Sequence, residues 1–197
     1  GASVEIAPEF ADLYSVYDLG PPPGVPSPLG GAVIKADDPN TLLIAGASER
    51  VDGAIYSIGV TRNPCGHIIG FSGTAQVYAY TPYVDANLVY RNPNLLLFTE
   101  WPVIRFSQLQ VGDTMTSDTL DLTTVGVVGS PDQGPGGLGI VPPGNAAAGE
   151  LRMVSWPEGR WYRVTSSLVG WLEQIASTQQ ISVLPNNPGG FAYVPAG

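Results

Sequence analysis

Short runs of alternating apolar and polar residues recur along the chain, and each leads through a Pro- or Gly-containing turn and a pair of small residues to a second apolar run. Tyr14-Ser15-Val16-Tyr17-Asp18-Leu19 leads to Gly30-Gly31-Ala32-Val33-Ile34, and Gln76-Val77-Tyr78-Ala79-Tyr80 leads to Ala86-Asn87-Leu88-Val89-Tyr90. Thr124-Val125-Gly126-Val127-Val128 leads to Gly136-Gly137-Leu138-Gly139-Ile140, and Ile181-Ser182-Val183-Leu184 leads to Gly189-Gly190-Phe191-Ala192-Tyr193-Val194. A period of two argues for strands. The second small residue falls at 31, 87, 137 and 190, giving spacings of 56, 50 and 53. A period of about 50 residues is the size of a four-stranded propeller blade with generous loops.

The interiors of the units agree. After each small pair comes a turn and a strongly apolar strand: Thr41-Leu42-Leu43-Ile44-Ala45, Asn94-Leu95-Leu96-Leu97-Phe98 and Glu150-Leu151-Arg152-Met153-Val154. Two of these continue alike, into Glu100-Trp101-Pro102 and Ser155-Trp156-Pro157. A third strand follows, at Ala54–Ile58, Val103–Ser107 and Arg160–Val164; Gly53 and Gly159 stand in the preceding turns, where tight hairpins are expected to need positive φ. The small pairs suit inner strands crowded about an axis, where a backbone without Cβ approaches closely. An apolar run on both faces suits a second strand packed between neighbouring blades. Trp171-Leu172-Glu173-Gln174-Ile175-Ala176 breaks the pattern and reads as a loop packing Trp171 on a blade edge, or as a turn of helix.

The expected fold is all-β, a β-propeller of four-stranded antiparallel blades with about three blades in this chain and a repeat near 53 residues. Residues 1–197 form one propeller segment, with blades at about 30–80, 86–128 and 136–184. An N-terminal outer strand at 14–19 and a C-terminal inner strand at 189–195 flank them. Three blades cannot close a ring without leaving apolar edges unpaired. A six-bladed ring at this period takes about 320 residues. Closure is therefore expected from further sequence or from self-association.

Composition agrees with many strands and turns. Gly (25) and Pro (19) make up about 22% of the chain, against about 12% in average usage. Apolar residues are 44%, enough for a packed core. Eight basic residues against 17 acidic ones give a net charge of −9, and Lys35 is the only lysine. Nucleic acid and anionic membrane surfaces need clustered Lys and Arg and are poor partners. No apolar run of 18 residues offers a membrane span. The opening Gly1-Ala2-Ser3 lacks a charged segment before an apolar one, so any signal peptide is expected to have been removed. An acidic, lysine-poor, Gly/Pro-rich chain suits an exported bacterial protein, secreted, periplasmic or on the cell surface.

Chemistry-bearing residues are sparse. Cys65 is alone, so no disulfide framework forms within the chain, and His67 is the single histidine. Adjacency in Cys65-Gly66-His67 does not set nucleophile–base geometry; a turn residue and a solvated imidazole are the expectation. Asp118 and Asp121 lack the spacing of a Ca²⁺ loop, and Gly134-Pro135-Gly136-Gly137 lacks the Lys and helix of a phosphate cradle. No catalytic residue is assigned. Tyr78, Tyr80, Tyr83, Tyr90, Trp101, Trp156, Trp161, Tyr162 and Trp171 are the most suggestive group: stacking platforms for a carbohydrate, or packing between blades, which their recurrence favours.

Gly136–Pro142, Gly189–Gly197 and the run from Leu96 to Trp101 resemble six-bladed bacterial propellers of the NHL-like and gluconolactonase-like group. Over about residues 12–197 the chain is most similar to exported proteins of the kind that carry a PEP-CTERM sorting tail. Gluconolactonase-like relatives hold a divalent metal in the central channel on carboxylate and Asn side chains near inner strands. The resemblance thereby implies Ca²⁺ as the cofactor to test and Asp85, Asn87, Asn186 and Asn187 as channel-facing candidates. One carboxylate is thin for such a site. The reading is thus a non-catalytic propeller module binding a protein or carbohydrate. The alternatives are a metal-dependent lactonase or hydrolase, and a shortened or designed repeat array without activity.

Overall fold

The computed structural model describes residues 6–127 and 134–193. It is all-β, with three four-stranded antiparallel sheets. The first holds β1 (Leu29–Ile34), β2 (Thr41–Gly46), β3 (Ala54–Arg62) and β4 (Ile68–Tyr80). The second holds β5 (Val84–Asn92), β6 (Leu95–Glu100), β7 (Arg105–Gln110) and β8 (Asp118–Asp121). The third holds β9 (Gly134–Ile140), β10 (Leu151–Trp156), β11 (Arg160–Val169) and β12 (Leu172–Val183). Each sheet is a simple meander, its strands adjacent in chain order, so it forms from local hairpins. The arrangement is blade-like, and the described residues contain no closed ring.

Strand β6 shows why the middle sheet is apolar on both faces. Leu95 and Leu97 enter one buried cluster with Phe106, Leu138, Met153 and Tyr162. Leu96 and Phe98, on the opposite face, enter another with Leu43, Ile55, Val84 and Leu88. Period two sends alternate residues to different neighbours, so two cores flank one strand. Truncating the fully buried Phe98 would remove about 3–5 kcal/mol.

The inner strands touch through their small residues. A Cβ on Gly31 would lie 2.6 Å from Asn87 Cα, and one on Gly136 would lie 2.6 Å from Gly189 O. β1 therefore packs on β5, and the C-terminal segment packs on β9. These are close backbone approaches that only glycine permits.

The outward faces of the first and third sheets are partly covered by flanking segments. Val25 packs with Ile44 and Ile58 on the first sheet, where Ala75 and Ala47 donate backbone hydrogen bonds to Pro23 O and Pro26 O, each at 2.8 Å. On the third, Phe191 meets Trp161 edge to face at 4.6 Å.

Four expectations about elements differ from the structure. Residues 14–19 form no strand; the segment follows turn bonds such as Tyr14 N–H to Phe10 O and pairs with no strand among the described residues. Residues 189–193 form no strand either, and residues 194 and 195 lie outside the described ones. The second sheet's outer strand is β8, ahead of the expected 124–128; Leu122–Val125 is instead a 3₁₀ turn, and Val128 lies outside the described residues. Asp121 caps that turn by accepting from Thr123 N–H, Gly126 ends it at φ 101°, and Leu122 is driven into the core. Trp171–Ala176 is neither loop nor helix. Gly170-Trp171 is a two-residue hairpin turn and β12 begins at Leu172, paired with Val169.

Candidate functional site

Register pairing makes the units directly comparable. Ala32 pairs with Ile44, Leu88 with Phe98, and Leu138 with Met153. Three residues beyond the β2, β6 and β10 partners stand Ala47, Trp101 and Trp156, so the two tryptophans occupy one structural position in successive units. Their rings meet edge to face, centroids 5.7 Å apart and planes at 84°, a favoured aromatic geometry. In the first unit the position is an alanine with φ 47°, and the turn beyond it raises Glu49 in its place, with Glu49 N–H bonded to Val84 O at 3.0 Å.

Glu49, Asp85, Trp101 and Trp156 line an open cleft of about 530 Å³, floored by glycine backbone from β1, β9 and the C-terminal segment. The cleft lies at the starts of the inner strands and the ends of β2, β6 and β10. Trp156 is 40% exposed. Trp101 is half-buried, and its Nε1–H is buried without a hydrogen-bond partner. Apart from the glutamate, aspartate and indoles, the side chains are those of Leu29 and Ala86; among the described residues no Lys, Arg, His, Asn, Gln, Ser or Thr lines the cleft.

Asp85 is buried at its edge. Desolvation, reinforced by the Glu49 charge, pushes its carboxyl up to about 8, and the Ala86 backbone N–H offsets only part of this. The other three candidates go elsewhere. Asn87 turns between units: Nδ2 donates to Phe191 O at 3.1 Å, and Oδ1 is buried without a partner beside Gly137 and Gly190. Asn186 and Asn187 stand exposed in the turn after β12, with φ of 65° and 47°. Of the four, Asp85 alone lines the cleft. Among the described residues no three His, Cys, Asp or Glu side chains gather closely enough to hold a metal ion.

Cys65 and His67 sit in an exposed hairpin tip, where Asn63 Oδ1 accepts from both backbone N–H groups. The remaining aromatics divide. Tyr162 is fully buried, Tyr78 and Tyr90 pack against the core between the first two sheets, and Trp161 packs on Phe191. Tyr80 and Trp171 are exposed away from the cleft. Sequence reasoning missed Glu49 and favoured packing over a ligand platform for the recurring tryptophans. The shared Trp-Pro ending was the available signal.

Comparison with known protein families, curated proteins and solved structures finds no match to this chain.

Proposed function

We propose that the chain is a β-propeller-type, non-catalytic binding module whose ligand seats in the Trp101–Trp156 cleft. The observation that carries this reading is the meeting of two register-equivalent tryptophans over an open cleft beside a buried carboxylate. Concave sites lined by aromatics with a few placed polar groups are the usual form of small-ligand sites. A partly exposed Trp156 leaves ring surface for a ligand, and the rigid strand ends hold it in place. Acyl transfer by the usual route would need a Ser, Cys or Thr nucleophile with an oriented base, and among the described residues no such side chain lines this cleft. The matched glycines at 30–31, 136–137 and 189–190 support the blade arrangement. Ring closure by further blades or by a second copy belongs to the same proposal.

A ligand-observed NMR fragment screen, repeated on Trp156→Ala, tests the reading. Hits that vanish in the variant support it. Hits that all persist, or saturable turnover of a lactone or ester panel, overturn it.

A further inference from the structure

We infer that the ligand class of this cleft is a small organic cation, an alkylated ammonium group seated against Trp101 and Trp156 and countered by Asp85 and Glu49. The inference rests on the binding-site reading above and adds the chemistry of the occupant.

Three observations converge on it. The first is the shape of the aromatic wall. Ring planes at 84° make a corner, and a cation near an indole face is attracted by the ring quadrupole, most strongly for Trp and most strongly when desolvated. The second is charge. Both ionisable side chains in the lining are carboxylates and no basic side chain answers them. Asp85 is nine-tenths buried with only a neighbouring backbone N–H to stabilise its charge. A buried carboxylate without a cation is costly, and a cation beside it would restore the charged form.

The third observation is hydrogen-bond polarity. The side chains facing the cleft offer acceptors, and the Trp101 N–H is buried away from its surface. A sugar hydroxyl both donates and accepts, so a carbohydrate site mixes amides, hydroxyls or guanidinium groups with its carboxylates. With both carboxylates ionised, the side chains beside the aromatic rings only accept, which suits a ligand that brings donors or bare positive charge. An anion would meet two carboxylates and no counter-charge. The cleft volume of about 530 Å³ leaves room for substituents beyond the ammonium group.

The test is titration of the full chain with tetramethylammonium chloride and with methyl-β-glucoside, following the indole N–H resonances at matched ionic strength. Tetramethylammonium should saturate with Kd on the order of a millimolar, given its few heavy atoms. It should move the Trp101 and Trp156 signals. Asp85→Asn and Trp156→Ala should each weaken binding about tenfold, while Trp156→Phe should weaken it less. Circular dichroism of each variant separates lost binding from lost fold, and Glu49→Gln, in an exposed turn, gives a second charge variant. Saturation by the glucoside but not by the cation overturns the inference and leaves the binding module standing. Displacement of tetramethylammonium by Ca²⁺ at lower concentration also overturns it, assigning the carboxylates to a metal. No response to either ligand overturns the inference, whereas the module reading is decided separately, by a fragment screen that is empty or whose hits all persist in Trp156→Ala, or by turnover of the lactone and ester panel.

Discussion

Gln108 and Glu173 clamp the second and third sheets together through one side-chain amide. Gln108 Nε2 donates to Glu173 O at 3.0 Å, and Glu173 N–H donates back to Gln108 Oε1 at 2.8 Å. The amide imitates a strand neighbour, satisfying both backbone groups of a residue on β12 from a side chain on β7. Both residues are buried, so these bonds are shielded from water. Arg91 Nε adds an ion pair to the Glu173 carboxylate at 2.9 Å.

Removing the amide leaves a buried N–H and C=O unpaired. Gln108→Ala should therefore cost about 2–4 kcal/mol, more than a typical net hydrogen bond, because the desolvation penalty stays. Urea unfolding measures it, with Gln110→Ala on the same strand as a control expected to change stability by under about 0.5 kcal/mol. Equal losses for the two would mean the clamp contributes nothing beyond ordinary strand packing.

The close approach of inner strands gives a second prediction. A Cβ on Gly137 would overlap Asn87 Oδ1 and lie 2.8 Å from Gly190 Cα. Gly137→Ala should destabilise by about 1–3 kcal/mol through overpacking. Asn87→Ala in the same chain should recover part of that loss, since one of the two collisions disappears, and a double-mutant cycle reads the coupling. Gly70→Ala is the control: its new methyl meets only the Thr61 hydroxyl, at 3.1 Å, the end of a side chain that can turn. Strict additivity of the Gly137 and Asn87 changes would show that the strands do not meet at these residues.

The strands and their repeat were legible because their signals are local: the alternation along β6, and the glycine pairs at 30–31, 136–137 and 189–190. What failed was decided by contacts beyond the window. Thr124–Val128 looks like a strand until Asp121 and Gly126 bracket a turn that buries Leu122. Leu172–Ala176 looks irregular until β11 supplies its pairing partner. The site was less legible still. Asp85 and Asn87 are two apart and would share a face on a regular strand. Pairing with β6 shifts between Val84 and Leu88, and such an irregularity re-aims side chains, sending one to the cleft and the other between units. The two tryptophans announced their recurrence, but recurrence alone does not separate packing from a ligand wall. Glu49 enters through a turn with φ 66° that no repeat pattern marks.

Asp85 makes stability depend on pH with a definite sign. Its carboxyl is raised from 3.8 to about 8 by burial, with the Glu49 carboxylate from the β2–β3 turn adding to the shift and no basic side chain in the cleft opposing it. Between those values the native state holds a proton that the unfolded chain has released. Stability is therefore greatest at the acid end of that window and falls by up to about 1.4 kcal/mol per pH unit until it levels off above about 8. Asp38, Asp121 and Glu150, held below their ordinary values by hydrogen bonds from Thr41, Thr123 and Arg152, act in the opposite sense but at lower pH. Asp85→Asn removes the titration. The variant should match the parent near the ordinary carboxyl range and exceed it by several degrees in Tm above the raised pKa, where the parent must carry a buried charge. Adding tetramethylammonium in the alkaline range should narrow that gap, because a ligand bound to the native state stabilises it. Thermal unfolding of both proteins across the pH series measures the difference. Parallel curves would mean that Asp85 ionises freely and that the cleft exerts no electrostatic demand for a cation.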